Sequence, residues 1–218
     1  MHLYLISGLG ADYRAFERLD FPEGYKIIHL DWIKPLKNET LQSYARRMAA
    51  SIDPNEDFIL GGLSFGGIIA VEIAKFTTPL KLLLFSTVAD RKSLPWYYPI
   101  AGLLRLDKIM PAFHPRNSLT FMFWFFGPLD RDSREVLRYF ISNSDSSFIL
   151  WALGCISRWQ NESIAVPCFH IHGELDRAFP LRCIAKVNYV VKGGGHLVVY
   201  THAKEVSKVL HDVLALEK

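Results

Sequence analysis

The stretch Asp57-Phe58-Ile59-Leu60-Gly61-Gly62-Leu63-Ser64-Phe65-Gly66-Gly67-Ile68-Ile69-Ala70-Val71-Glu72-Ile73-Ala74-Lys75-Phe76 decides how this chain is read. Asp57 to Gly61 reads as a strand, and its continuous apolar run from Phe58 to Gly61 is the mark of one covered on both faces. Phe65 to Phe76 is long enough for an apolar helix, and Thr77-Thr78-Pro79 stops it. Between them lies Gly62-Leu63-Ser64-Phe65-Gly66, a G-x-S-x-G pattern in a strand-to-helix setting. A serine on so sharp a turn sits in a strained backbone conformation, which costs about 1–3 kcal/mol and persists only where its surroundings enforce it. Side chains two positions to either side would collide, so both must be small, as Gly62 and Gly66 are. The turn lifts the Ser64 hydroxyl above the sheet edge and leaves the Phe65 N–H at a helix N-terminus, where it has no partner within the helix.

Outward from this turn, strand and helix signals alternate. Leu3 to Ser7, Tyr25 to Leu30, Lys81 to Ser86, Pro167 to His172 and Val187 to Lys192 read as further buried strands. Asp12 is placed to cap a helix through Leu19, and Thr40 one from Leu41 to Ile52, where Tyr44, Met48 and Ile52 recur every fourth residue. Leu181 to Lys186 reads as a short helix. Ala203 to Leu216 gathers Val206, Val209, Leu210, Val213 and Leu214 on one face. Such alternation predicts an α/β fold, a mostly parallel, doubly wound sheet of about six strands. Its ligand sites are expected beyond the carboxyl ends of the strands.

Val88 to Glu162 breaks the pattern, with no convincing buried strand, and a bare loop of that length is foreign to a compact domain. Four helices are expected there, at Ile100 to Met110, Asn117 to Phe126, Ser133 to Ile141 and Ser147 to Trp159, with Asp132 and Glu135 spaced as a capping box for the third. The expected organisation is a core of residues 1–87 and 163–218, with 88–162 inserted as a helical cap. The insertion holds four of the five tryptophans and seven of the fifteen phenylalanines. That is more aromatic surface than four short helices hide among themselves, so part of it should line a cleft against the core, beneath Trp96, Trp124 and Trp151.

The 218 residues suit one domain, or one domain carrying a large insertion. With half the residues hydrophobic and 22% charged, the chain is not intrinsically disordered. Its net charge of +3 is scattered, without the basic stripe of a nucleic-acid binder. No apolar run reaches the roughly 20 residues of a membrane span. The N-terminus runs straight from Met1-His2-Leu3 into the first strand without a signal-peptide pattern, and the sparse, odd set Cys155, Cys168 and Cys183 is no disulfide framework. A cytoplasmic protein is expected.

A serine hydroxyl attacks only when a base takes its proton, and the base needs a carboxylate to orient it. Of the eight histidines, His196 follows Gly193-Gly194-Gly195 just after the last strand, at the carboxyl end of the sheet. His2 and His29 read as strand residues, His114 falls in the insertion, and His202 and His211 fall in the last helix. His170 and His172 share one face of a strand. Such a pair could ligate a metal, but no third ligand stands at a suitable spacing, and no cofactor or metal is expected. The orienting acid should follow the strand before His196, which favours Asp176 in His172-Gly173-Glu174-Leu175-Asp176. Glu174 is the near rival, with Asp90 and Asp145 further candidates. An oxyanion needs two fixed donors. The Phe65 N–H is one, and the Leu9 N–H in Ser7-Gly8-Leu9-Gly10 is assigned as the other. Gly8-x-Gly10 lacks the third glycine of a dinucleotide fingerprint.

These motifs resemble the α/β-hydrolase superfamily: Ser7-Gly8-Leu9-Gly10, Gly62-Leu63-Ser64-Phe65-Gly66, His172-Gly173-Glu174-Leu175-Asp176 and Gly195-His196, with the order Ser64, Asp176, His196 that the superfamily uses. The resemblance spans nearly the whole chain apart from Val88 to Glu162, which falls where the family usually carries its cap. Two departures stand out. Many members have His-Gly where this chain has Ser7-Gly8, and many begin with two further antiparallel strands. The resemblance implies the fold and a Ser64–His196–Asp176 triad. Serine at the elbow disfavours epoxide hydrolysis and dehalogenation, which use aspartate there. It fits a serine hydrolase acting on small-molecule carboxylic esters with an apolar acyl or alkyl group. A thioesterase or acyltransferase using the same triad is the alternative, and a non-catalytic ligand-binding protein of the same fold a third. Arg91, Lys92 and Arg105 beside the cap could meet an anionic substrate or be solvated surface charge.

Overall fold

The computed structural model describes residues 1–104 and 119–215. Among the described residues, six parallel strands form one sheet: β1 (His2–Ile6), β2 (Lys26–His29), β3 (Phe58–Leu63), β4 (Lys81–Phe85), β5 (Cys168–Gly173) and β6 (Tyr189–Val191), in the order β2-β1-β3-β4-β5-β6. The described helices are α1 (Leu41–Ala49), α2 (Phe65–Ile73), α3 (Tyr97–Leu103), α4 (Leu119–Phe126), α5 (Arg131–Asn143), α6 (Ser146–Arg158), α7 (Val198–Thr201) and α8 (Ala203–Ala215).

The period of two along each strand divides the core between the two faces of the sheet. Tyr4, Ile6, Leu60, Leu82 and Leu84 pack with α1, α2 and α6. Leu3, Leu5, Ile59, Leu83 and Phe85 pack with α8 and the turn holding Ala15 and Phe16. Helices on both faces explain why all of β3 is buried, and α2 is itself buried along its whole length.

Several expected boundaries move. The helix expected from Asp12 to Leu19 is a single 3-10 turn, Tyr13–Phe16. Its successive bonds run three residues back (Ala15 to Asp12, Glu17 to Arg14, Leu19 to Phe16), which closes a tighter, shorter coil. Asp12 does cap it, accepting from the Arg14 N–H. Thr40 caps α1 through the Ser43 N–H, but α1 ends at Ala49 rather than Ile52. The segment at Leu181–Cys183 is likewise a 3-10 turn. The third insertion helix begins two residues earlier than expected: Asp130, not Asp132, is the cap, taking the Ser133 N–H at 2.8 Å. Asp132 instead faces outward and pairs with Arg18 at 2.9 Å. The first insertion helix starts at Tyr97 rather than Ile100, and the part of it expected over 105–110 lies outside the described residues, as do residues 117–118 of the second.

A buried polar contact joins the segment after α6 to α2. Trp159, after the end of α6, is 2% exposed and donates its indole N–H to Glu72 Oε1 on α2 at 2.7 Å. The same carboxylate oxygen meets Lys75 Nζ at 2.5 Å, so the buried charge is paired. No described helix is long and apolar enough to cross a membrane.

Candidate active site

Ser64 joins β3 to α2 with φ 54° and ψ −121°, a backbone conformation that residues other than glycine seldom adopt. The neighbourhood enforces it. A Cβ at Gly62 would run into the Gly66 backbone, and one at Gly66 into the Ile6 and Ser7 carbonyls of the neighbouring strand end. The Ser64 N–H donates to the Phe85 carbonyl at 2.9 Å, while the Thr87 hydroxyl donates to the Ser64 carbonyl at 2.6 Å. The sequence reading missed Thr87, which acts across 23 positions of the chain.

The loops after β5 and β6 bring a carboxylate and an imidazole to that serine. His196 Nδ1 lies 2.7 Å from Asp176 Oδ2, and His196 Nε2 lies 2.8 Å from Ser64 Oγ. An ionised carboxylate only accepts, so in the neutral ring the hydrogen sits on Nδ1, and Nε2 is left to accept from the Ser64 hydroxyl. Asp176 Oδ1 takes the Phe179 N–H at 2.9 Å. Asp176 and His196 are 3% and 4% exposed, so this charge-assisted contact is shielded from water. The His196 N–H donates to the Phe126 carbonyl at the end of α4, at 2.6 Å, and a Cβ at Gly195 would strike that same carbonyl. The end of α4 thus helps hold the imidazole loop.

The rival carboxylates are occupied elsewhere. Glu174 accepts the Gly193 N–H at 2.9 Å. Asp90 caps the turn Arg91–Ser93 and Asp145 caps α6. Of the other histidines, His211 meets Asp20 at 2.9 Å and His2 meets Glu56 at 2.8 Å, while His114 lies outside the described residues. His170 and His172 lie behind Asp176, and burial pushes both below the ordinary histidine range, His170 to about 3. Among the described residues, no three His, Cys, Asp or Glu side chains gather as a metal site.

Gly8 and Leu9 line the same cavity as Ser64 and His196. The Gly8 carbonyl accepts from the Ala11 N–H at 2.9 Å and from the Trp32 indole at 3.1 Å. Across a trans peptide the next N–H points the opposite way, so the Leu9 N–H faces away from Trp32. The Ser7 hydroxyl donates to the Ala11 carbonyl at 2.7 Å and closes the loop on itself. At the start of α2, the Gly67 and Ile68 N–H groups reach back to the Ser64 carbonyl at 2.9 and 3.4 Å, and Phe65 is the first helical residue.

The cavity above Ser64 has a volume of about 350 Å³. Its walls are apolar: Phe121, Met122, Phe125 and Phe126 from α4, with Leu137 and Phe140 from α5. The three tryptophans expected to line it do not. Trp96 is 74% exposed. Trp124 faces solvent beneath the Arg177 guanidinium, 5.0 Å from its ring. Trp151 packs into the core 4.5 Å from the Tyr44 ring and donates to the Glu39 carbonyl at 3.0 Å. Size alone is a poor guide, because a large ring also fills core or covers surface. The better signal was Leu119 to Phe126, apolar except for Thr120, which leaves one apolar face for a cavity when the helix lies on the surface. Arg91 is committed to the Ser157 and Trp159 carbonyls at 3.0 and 3.2 Å, Lys92 is exposed, and Arg105 lies outside the described residues.

With this geometry in hand, the comparisons with known proteins are specific about family. The model of the Alpha/beta hydrolase family matches residues 3–209, and the chain belongs to that family. No curated protein matches the sequence. Among solved structures, a thermophilic esterase from Thermogutta terrifontis is similar at 16% identity and a TM-score of 0.76, over 99% of this chain and 89% of that one. An esterase from Exiguobacterium antarcticum is similar at 17% identity and TM-score 0.75, over 100% and 92%. MenH from S. aureus is similar at 17% identity and TM-score 0.74, over 96% and 92%. At these identities the likeness is one of fold.

Proposed function

We propose that this protein is a serine hydrolase that cleaves small-molecule carboxylic esters carrying an apolar acyl or alkyl group. The observation that carries the reading is the unbroken run Ser64–His196–Asp176, with contacts of 2.8 and 2.7 Å, whose Ser64 and His196 line an apolar cavity. His196 takes the Ser64 proton on Nε2 as Oγ attacks the ester carbonyl. Asp176 holds the hydrogen on Nδ1 and offsets the positive charge that forms on the ring. The Leu9 and Phe65 N–H groups receive the oxyanion, a pair of donors of which each is worth about 10²–10³ in rate. His196 then hands its proton to the departing alkoxide, leaving Ser64 acylated. A water molecule, deprotonated by His196, attacks the acyl carbon, and the acid leaves as Oγ takes its proton back.

In this reading residues 1–87 and 163–218 are the hydrolase core, and 88–162 serve as a cap whose helix α4 forms the roof over Ser64. At about 30 Å³ per water-sized group, the cavity has room for roughly a dozen such groups, an apolar chain of modest length. Hydrolysis of p-nitrophenyl esters tests the reading. Ser64→Ala should leave no turnover above buffer, and a folded variant that retains turnover refutes the role of Ser64.

A further inference from the structure

His170 and His172 stand behind the proposed triad, and no step above uses them. They alternate along β5, so both rings lie on one face, edge to face with centroids 5.1 Å apart. Three contacts string them between two carbonyls. His170 Nδ1 lies 3.3 Å from the Lys186 carbonyl, His170 Nε2 lies 3.1 Å from His172 Nδ1, and His172 Nε2 lies 2.8 Å from the Phe179 carbonyl. Each contact needs one hydrogen, because a carbonyl or a bare ring nitrogen only accepts. Two neutral imidazoles bring two. At 2% and 0% exposure, burial opposes a third proton on the pair. One contact therefore goes without a hydrogen, and the longest, at Lys186, is the one that costs least to leave bare. Both rings are then Nε2–H tautomers: His170 donates to His172, and His172 donates to the Phe179 carbonyl. Asp176 Oδ2, at 3.5 Å from His172 Nε2, is too distant to compete for that hydrogen.

This pins the Phe179 residue at both ends, since its N–H is the donor to Asp176 Oδ1 at 2.9 Å. Its ring also packs against His196, with centroids 5.7 Å apart. We propose that His172, its tautomer set by His170, is a positioning residue: by holding the Phe179 carbonyl it aims the Phe179 N–H at Asp176 and the Phe179 ring at His196. The inference rests on the triad reading above.

His172→Phe keeps ring volume and removes the donor. Its kcat should fall about tenfold at unchanged KM, the size of coupling usual for contacting groups. His172→Gln, whose carboxamide N–H reaches the place of Nε2, should recover most of that loss. In an Asp176→Ala background His172→Phe should cost nothing further, measured as the rate of fluorophosphonate labelling below the melting temperature of both proteins. A merely structural histidine lowers the melting temperature and costs the same in either background. That result, or an unchanged kcat in folded His172→Phe, overturns the inference. Nitrogen-15 imidazole spectra of the wild-type protein near neutral pH need no variant to fold. They should find His170 and His172 uncharged with the hydrogen on Nε2, and a hydrogen on His172 Nδ1 overturns the assignment. Ser64→Ala separates the two readings. If it still hydrolyses ester, the triad reading fails and this inference with it. If it is inert while His172→Phe matches wild type, only this inference fails.

Discussion

Replacing Asp176 by asparagine tests the proposal that its charge orients His196. The Asp176 side chain is fully enclosed, so asparagine must satisfy the same two partners. The Phe179 N–H, at 2.9 Å, can be met only by the amide oxygen. The amide nitrogen then falls where Oδ2 was, 2.7 Å from His196 Nδ1, and presents a hydrogen to it. The imidazole responds by moving its own hydrogen to Nε2, which lies 2.8 Å from Ser64 Oγ. In that tautomer it cannot take the hydroxyl proton. The loss for a triad forced into the wrong tautomer is about 10⁴ in kcat, or about 5.5 kcal/mol at 1.36 kcal/mol per tenfold. The assay is p-nitrophenyl butyrate hydrolysis, with Ser64→Ala as the floor and thermal melts to confirm folding. Glu174→Gln, in the exposed turn at Gly193, should stay within about twofold of wild type. A folded Asp176→Asn that keeps more than about a tenth of wild-type kcat, or a Glu174→Gln that loses as much as Asp176→Asn, refutes the assignment of the orienting acid.

Other outcomes follow from the same contacts. Trp159→Phe removes the indole donor to buried Glu72 and should lower stability by about 2 kcal/mol, or roughly 4–8 °C in melting temperature; an unchanged melt would mean the Trp159–Glu72 contact contributes nothing. Leu150→Trp, on the cavity wall, should raise KM for octanoate esters by about tenfold or more while sparing acetate esters, since each methylene refused by a pocket is worth about 1–3 kcal/mol; equal effects on both chain lengths would place the acyl chain elsewhere. His170 is held at about 3, below its unfolded value of 6.5, so the unfolded state binds the extra proton first and stability falls as pH drops from 6.5 towards 3. At about pH 5 this one group should cost about 2 kcal/mol, visible as an acid-side decline in melting temperature that is shallower in His170→Asn; parallel curves for the two proteins would contradict it.

Much of the fold was legible because it follows from local patterns. The alternation of Leu3 and Leu5 against Tyr4 and Ile6, and the continuous burial of Phe58 to Leu63, sort the strands onto a doubly covered sheet. Gly62 and Gly66 are readable because a side chain at either would meet backbone, a constraint that survives any change of surroundings. Ser64, Asp176 and His196 were legible as loop residues following three strand ends, and the parallel order of the sheet brings those ends to one edge. What the sequence did not reveal depends on distant partners. Thr87 acts on the Ser64 carbonyl and Trp32 on the Gly8 carbonyl, 23 and 24 positions away, and nothing in either local context marks them. Phe179 joins His172, Asp176 and His196 through its own peptide and ring, which no side-chain pattern announces. The three tryptophans failed as cavity markers because an aromatic ring is equally at home in core, cavity and surface, and only the packing of α4 decides which. The cap of α5 fell to Asp130 because the chain turned two residues before the capping-box spacing suggested.

The central claim is that Ser64 is a nucleophile activated by His196. The most direct measurement is the intact mass of the protein after reaction with a fluorophosphonate, followed by peptide mapping. A single adduct on Ser64, formed at wild-type rate in the native protein and absent from Ser64→Ala and from the heat-denatured chain, is the result the account predicts. An adduct on any other residue, or no adduct on folded protein, contradicts it.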